Sequence, residues 1–231
     1  MSDRILVVNA DDLGLCGTVD DGIFAAHRDG IVTSASLMVR QAAAPAAAER
    51  AGEHPRLAIG LHLDLGQWDY VNGEWTQAYS HCDLESAAGV EAECRAQLDR
   101  FRALLGRDPT HLDSHQHVHT SEPVASVAGA IAAELSIPVR GRQIRYEGGF
   151  YGQDGKGQPY PETIAPASLV DLIRSLPLGW TEIGCHPAAG PVPSSYDRER
   201  LTELRTLCDP SVRAAISGSG AELRSFADFS A

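Results

Sequence analysis

The sequence predicts an α/β fold built on a parallel sheet, on three observations. Short β-branched apolar runs alternate with longer segments whose apolar residues recur every three to four positions. Seven such strand-and-helix units follow one another with no internal repeat, and this alternation folds as a parallel sheet covered by helices. No linker or composition break divides the 231 residues, so one domain spanning 1–231 is expected, long enough to bury a core without staples. A closed or nearly closed barrel and an open doubly wound sheet both fit the pattern.

Arg4–Asn9 (RILVVN) reads as a buried strand leading into a Gly-containing loop. Thr18–Asp29 is a helix with Val19, Ile23 and Ala26 on one face and Gly30 as its stop. Ile31–Val39 is the second strand, Gln41–Ala51 an Ala-rich helix and Leu57–Leu65 the third strand. Residues 66–85 are an irregular excursion rich in Gly and aromatics, before a helix over Ala87–Leu105 closed by Gly106. Thr110–His115 is the fourth strand, Glu122–Leu135 a helix, and Pro138–Arg140 opens the fifth strand. A second long loop covers 141–166, followed by a helix at Ala167–Leu176, the sixth strand at Trp180–His186 and a helix at Asp197–Cys208. Asp209–Ser217 is a further helical turn, and Leu223–Phe226 is the seventh strand.

With 19 basic and 31 acidic side chains the net charge is −12, which argues against nucleic acid as a partner, since phosphate binding needs a basic face. Five cysteines, an odd number without C-x-x-C spacing, signal neither a disulfide framework nor a zinc knuckle. A reduced compartment follows. The opening MSDRILVVNADD holds an apolar run too short for a secretory or membrane segment, so the expected address is the cytoplasm, without membrane insertion.

The polar residues that look out of place fall at carboxyl ends of predicted strands. Asp11 and Asp12 follow the first, His62 and Asp64 lie near the end of the third, and Asp113, His115, His117 and His119 leave the fourth. His186 ends the sixth. Barrels and open α/β sheets both place their active sites at that edge. In extended conformation Asp113, His115, His117 and His119 would share one face, and histidines at this density suit a divalent metal. The plain alternative is a polar loop with some satisfied core histidines. Adjacent Asp11 and Asp12 point in different directions, so one can bind metal while its neighbour stays free as a base. Otherwise they cap the next helix or form a solvated turn. One Asp and two His from three strands make a site with open positions for water and substrate, a catalytic arrangement. A free carboxylate to take a proton and a histidine to give one complete the needs of amide or ester hydrolysis.

NADDLGL at 9–15, HRDGIVTSASLMV at 27–39, AIGLHLDL at 58–65, THLDSHQHVH at 110–119 and GCHPA at 184–188 resemble the YdjC-type carbohydrate deacetylases. These include chitooligosaccharide deacetylase and the deacetylase of hopanoid biosynthesis. The resemblance implies an imperfect TIM-like (β/α) barrel of seven parallel strands that hydrolyses the N-acetyl group of an amino sugar to a free amine and acetate. It places one divalent metal per chain on Asp12, His62 and His115, with Asp11 as general base and His186 as general acid. His117 and His119 would then line the pocket or support the ligands. Zinc is the expected ion; magnesium, cobalt, nickel and manganese also accept such ligands. A homodimer is the family habit.

Asp64 and Asp113 read as orienters of the metal ligands. The segments that should contact sugar depart from the family: Trp68, Tyr70, Trp75 and Tyr79 in the excursion, and the loop from Arg140 through Tyr160. Arg140, Arg142 or Arg145 would meet a hydroxyl, carboxylate or phosphate there, or else simply anchor the long loop. Two other classes compete: another metal-dependent amidohydrolase or phosphoesterase on the same scaffold, and a non-catalytic carbohydrate-binding protein that keeps the metal.

Overall fold

A computed structural model describes residues 3–230. In chain order its elements are β1 (Arg4–Leu13), α1 (Gly17–Arg28), β2 (Ser34–Leu37), α2 (Ala44–Ala51) and β3 (Ala58–Leu63). Next come β4 (Gly66–Val71), β5 (Glu74–Ser80), α3 (Ala87–Leu105), β6 (Leu112–Ser114) and α4 (Val124–Leu135). The last are β7 (Arg145–Glu147), α5 (Pro166–Ser175), β8 (Gly179–Cys185), α6 (Arg198–Leu207), α7 (Pro210–Ser219) and β9 (Ala221–Leu223).

The main sheet runs β6–β3–β2–β1–β8–β7, with β9 on the first residues of β1, and each of these pairs is parallel. It curls. Beyond β6, Leu112 bridges Val139 and Arg140 bridges Ile144, which carries backbone pairing toward β7 at the opposite edge. The expected fifth strand at 138–140 is thus reduced to isolated bridges, and β7 lies within the segment read as loop. The second strand shortens, and the seventh begins and ends earlier than expected. Residues 66–80, read as irregular, form the antiparallel hairpin β4–β5 outside the main sheet.

The elements follow from the apolar pattern. Leu6, Val7 and Val8 of β1 are fully buried, as a central parallel strand requires. On α3, Val90, Cys94, Leu98 and Phe101 form the buried stripe. Its start is fixed by the Ser86 hydroxyl accepting from the Gly89 N–H, and its end by left-handed Gly106. One hydrophobic cluster runs from β1 through the covering helices to α7. Gly22 lets α1 lie against the chain after β8, because a Cβ there would stand 2.4 Å from Ala188 Cα. This close packing brings the β8 end, with His186, beside the β1 end. Among the described residues no helix is long and apolar enough to cross a membrane.

Candidate active site at the carboxyl edge of the sheet

β1 continues past Asn9, so Asp11 and Asp12 lie within the strand rather than after it. The ladder to β2 loses register between Ala10 and Leu13, and Asp12 takes a left-handed φ of 68°. Such a bulge re-aims side chains at a strand end, and a non-glycine residue there is strained. The two carboxylates consequently diverge, Asp11 toward Arg140 and Asp12 toward Arg200.

Asp12 Oδ2 accepts from Arg200 Nη2 at 2.6 Å, leaving Oδ1 facing two imidazoles. His62 Nε2 lies 3.5 Å away and His115 Nδ1 3.2 Å. The far side of each ring is committed. His62 Nδ1 is 2.8 Å from Asp113 Oδ1, a pure acceptor, so Nδ1 carries the hydrogen. His115 Nε2 is 2.5 Å from Gln67 Oε1, while the Gln67 amide nitrogen donates to Asp69 at 2.7 Å. That second bond fixes the amide with its oxygen toward His115, so Nε2 is the donor and Nδ1 presents a lone pair. Two imidazole lone pairs and a carboxylate oxygen, all within 4.8 Å of one another, converge on a point that needs a cation or a proton. This donor set fits a divalent metal ion. Burial disfavours charge on His62, but Asp113 and Asp12 outweigh it and hold its pKa well above the usual value. Burial likewise opposes charge on Asp12, and Arg200 and the two histidines outweigh that, keeping it well below the carboxylate range.

Behind the triad lies a buried ionic network. Arg140 donates to both oxygens of Asp11 at 2.6 Å, and its Nε donates to Glu182 at 2.8 Å. Its Nη2 is also 2.9 Å from Asp113 Oδ2. Burial opposes ionisation of Asp11, but Arg140 prevails and its pKa is lowered. Glu182 is pushed by burial up to about 7 despite the guanidinium. Ser36 donates to Asp113 at 2.7 Å and accepts from Asn9, while His111 Nε2 sits 3.0 Å from its hydroxyl. The His111 ring stacks on Phe226 and stands over Gly60, where a Cβ would lie 2.4 Å from it. Burial drops its pKa to about 3.

Helix α6 closes the site from the other side. Glu203, one turn beyond Arg200, accepts the His186 backbone N–H at 2.5 Å and the Tyr196 hydroxyl. Burial raises its carboxyl to about 8. His186 Nε2 is 3.8 Å from Asp11 Oδ2, and its buried Nδ1 has no partner among the described residues. Burial pushes this imidazole down to about 4, with Asp11 and Asp12 opposing, so the resting ring is neutral.

A cavity of about 1080 Å³ opens above these groups, lined by Asp11, Asp12, His62, His115, His186 and Arg200 at its floor. Tyr70 and Tyr79 of the hairpin form one wall and Tyr151 and Tyr196 the other. Several expectations change here. The His111–His119 segment is extended only to Ser114; His115–Thr120 then turns through left-handed Gln116 and His117, so the four side chains do not share a face. His117 lines the cavity, whereas His119 folds back to Ser114 at 2.7 Å. Asp113 does hold His62, but Asp64 touches neither metal-site histidine. Its carboxylate accepts from Gln41 at 2.9 Å and Tyr79 at 3.0 Å, anchoring the hairpin base. Arg142 is exposed and donates to the Ala125 carbonyl, and Arg140 is buried in the network, so neither reaches the cavity as a sugar contact. Of the excursion aromatics, Trp68 and Trp75 lie outside the lining, and Trp75 is exposed.

Sequence reasoning missed Arg200, Glu203, Gln67, Glu182, Asn9 and Ser36. Glu182 carried a signal, being a charged residue inside a buried strand, and Ser36 a weaker one as a second serine in β2. Arg200 and Glu203 carried none, since both look like the solvated face of a helix.

Fold and site together define a class: an α/β protein with a carboxylate–histidine metal-type cluster at the carboxyl edge of a curled parallel sheet. The chain belongs to the YdjC-like protein family, whose model matches residues 5–218. It is 34% identical over 260 residues to a chitooligosaccharide deacetylase of Yersinia pestis, covering 98% of this chain and 99% of that one. To a carbohydrate deacetylase of Geobacillus stearothermophilus it is 34% identical over 250 residues, covering 98% of both. Among solved structures it superposes on an Enterococcus faecalis V583 protein described as a cellobiose-phosphate cleavage protein, with TM-score 0.79, 27% identity and full coverage of both chains. A family 4 carbohydrate esterase from Streptomyces lividans shares the fold at TM-score 0.56 and 14% identity, covering 96% of this chain and 92% of that one.

Proposed function

We propose that this protein is a metal-dependent carbohydrate deacetylase that hydrolyses the N-acetyl group of an amino sugar, releasing acetate. The observation that carries the reading is the convergence of Asp12 Oδ1, His62 Nε2 and His115 Nδ1 on one point in the cavity floor, with Asp11 and His186 beside it. The deacetylase relatives, matched over nearly the full chain, support the substrate class.

In this reading Asp12, His62 and His115 hold one divalent ion, zinc first among the candidates. Bound there, such an ion would supply Lewis acidity, lowering the pKa of water and polarising the acetyl carbonyl. Asp11, kept ionised by Arg140, takes a proton from the attacking water. His186 gives one to the departing sugar nitrogen as the C–N bond breaks. Because its ring rests neutral, we assign that proton to the one Asp11 has received, Nε2 being 3.8 Å from Asp11 Oδ2. The walls, with Tyr70, Tyr79 and Tyr151, hold the sugar, whose rings stack on aromatic faces. A single domain organised as an imperfect barrel is part of the same proposal, supported by the bridges that continue the pairing beyond β6. A cytoplasmic address accords with five free cysteines.

One ion per chain is expected. A second carboxylate–histidine group, Asp11, His62 and Asp113, also clusters, but Arg140 bonds both of its carboxylates. The test is acetate release from a panel of N-acetylated amino sugars by protein stripped of metal and reloaded with single metals. Metal-restored release supports the proposal. A tightly bound metal with no acetate from any sugar, or two ions per chain, would move a different hydrolase or a binding protein ahead.

A further inference from the structure

Gln67 belongs to a hairpin that lies outside the main sheet, yet it touches a residue of the proposed metal site. Its amide oxygen is 2.5 Å from His115 Nε2, and Asp69 holds its amide nitrogen at 2.7 Å. Asp69 can only accept, so it forbids the flipped amide, which would set an N–H against the imidazole donor. The next residue along each segment is joined too. The Gln116 side chain accepts from the Trp68 N–H at 2.9 Å and donates to the Trp68 carbonyl at 2.7 Å. Residues 67–68 of the hairpin therefore clasp residues 115–116 at consecutive positions. His115 needs this support more than His62 does. His62 is on a central strand, buried on all sides and fixed by Asp113. His115 begins an irregular turn whose next two residues are left-handed, and no carboxylate holds the far side of its ring.

We propose that Gln67 is the positioning residue for His115: locked by Asp69, it turns Nδ1 toward Asp12, so that hairpin β4–β5 completes the metal site. The inference rests on reading Asp12, His62 and His115 as metal ligands. The same hairpin presents Tyr70 and Tyr79 to the cavity, so one element both walls the substrate space and fixes a ligand. A group that orients a metal-bound histidine is worth roughly 10- to 100-fold in metal affinity.

The test is zinc affinity of the intact chain, measured by competition with a chromophoric chelator. Gln67→Leu removes the acceptor at similar volume and should weaken zinc binding by about 10- to 100-fold, leaving the metal-free melting temperature within a few degrees. Gln67→Glu combined with Asp69→Asn reverses the donor and acceptor between the two residues while still offering an oxygen to His115. It should recover most of the lost affinity, whereas a merely structural role would show in Gln67→Leu as a fall in the metal-free melting temperature. Unchanged affinity in Gln67→Leu, or no recovery in the double variant, overturns the inference alone. A wild-type chain that binds no divalent ion overturns the metal reading of the site itself.

Discussion

Asp11 and Asp12 are chain neighbours with opposite assignments, and the difference lies in what each oxygen faces. Both oxygens of Asp11 accept from Arg140, whereas Asp12 keeps Oδ1 turned to two histidines. Asp11→Asn should therefore retain metal and lower kcat by about 10²- to 10⁴-fold, the usual worth of a positioned general base. Metal content and turnover of the variant check this, and near-normal turnover would remove Asp11 from the base role. His186 makes a second prediction. A general acid ordinarily starts protonated and gives a bell-shaped pH profile, yet burial holds this ring at about 4. An imidazole whose folded pKa is depressed is already neutral throughout pH 5–8. If its proton arrives through Asp11, kcat/KM should show no limb near pH 6.5 that belongs to His186. A limb there in the wild type that disappears in His186→Asn would show that the ring begins the reaction charged.

Helix α6 holds two parts of the site at once. Arg200 fixes Asp12 and Glu203 fixes the His186 backbone and Tyr196, three positions apart on one face. Above about pH 8, where the Glu203 carboxyl is ionised, Glu203→Gln keeps the volume but puts an NH₂ where two donors already point. One of the His186 N–H and Tyr196 O–H bonds must fail, at a cost of about 1–3 kcal/mol for a buried unsatisfied group. Urea unfolding should show that loss, with kcat reduced and zinc stoichiometry kept; unchanged stability and kcat would mean the helix only packs. This helix also marks where the sequence stops being readable. The strands were legible because parallel strands buried on both faces must be apolar, as RILVVN and AIGLHL are. The candidate site residues were legible for the complementary reason, as carboxylates and imidazoles interrupting those runs at their ends. Arg200 meets Asp12 across 188 residues of chain, and nothing in RERLTELR distinguishes an inward arginine from a solvated one. Gln67 was hidden likewise, in a hairpin whose Gly- and aromatic-bearing sequence reads as an irregular excursion. The His115–Thr120 turn defeated the alternation rule because Gln116 and His117 adopt left-handed conformations that composition does not announce.

At the scale of the whole molecule, the buried titratable groups predict how stability changes with pH and how metal alters it. Burial lowers His111 to about 3 and His119 and His186 to about 4. Below about 6.5 the unfolded chain binds protons that these folded rings refuse, so their contribution to stability grows as pH rises toward 6.5. Burial raises Asp20 to about 6, Glu182 to about 7 and Glu203 to about 8. There the folded state holds protons that the unfolded chain releases above about 4.3, so their contribution falls as pH rises to those values. The two sets largely cancel between about pH 4.5 and 6.5. Above 6.5 the histidine gain is complete, while Glu182, Glu203 and the raised His62 still lose stability, each at about 1.4 kcal/mol per pH unit until its folded pKa is reached. Chelator-treated protein should thus melt highest on that plateau and lower at pH 8. With His62 as a ligand, as proposed, metal would reverse its disadvantage, because a ligand imidazole must give up its proton, and binding would tighten with pH. Saturating zinc should then raise the melting temperature more at pH 8 than at pH 5.5, in proportion to ln(1 + [Zn]/Kd). An equal gain at both pH values would mean that no protonated group yields to the metal, and His62 would have to leave the ligand set.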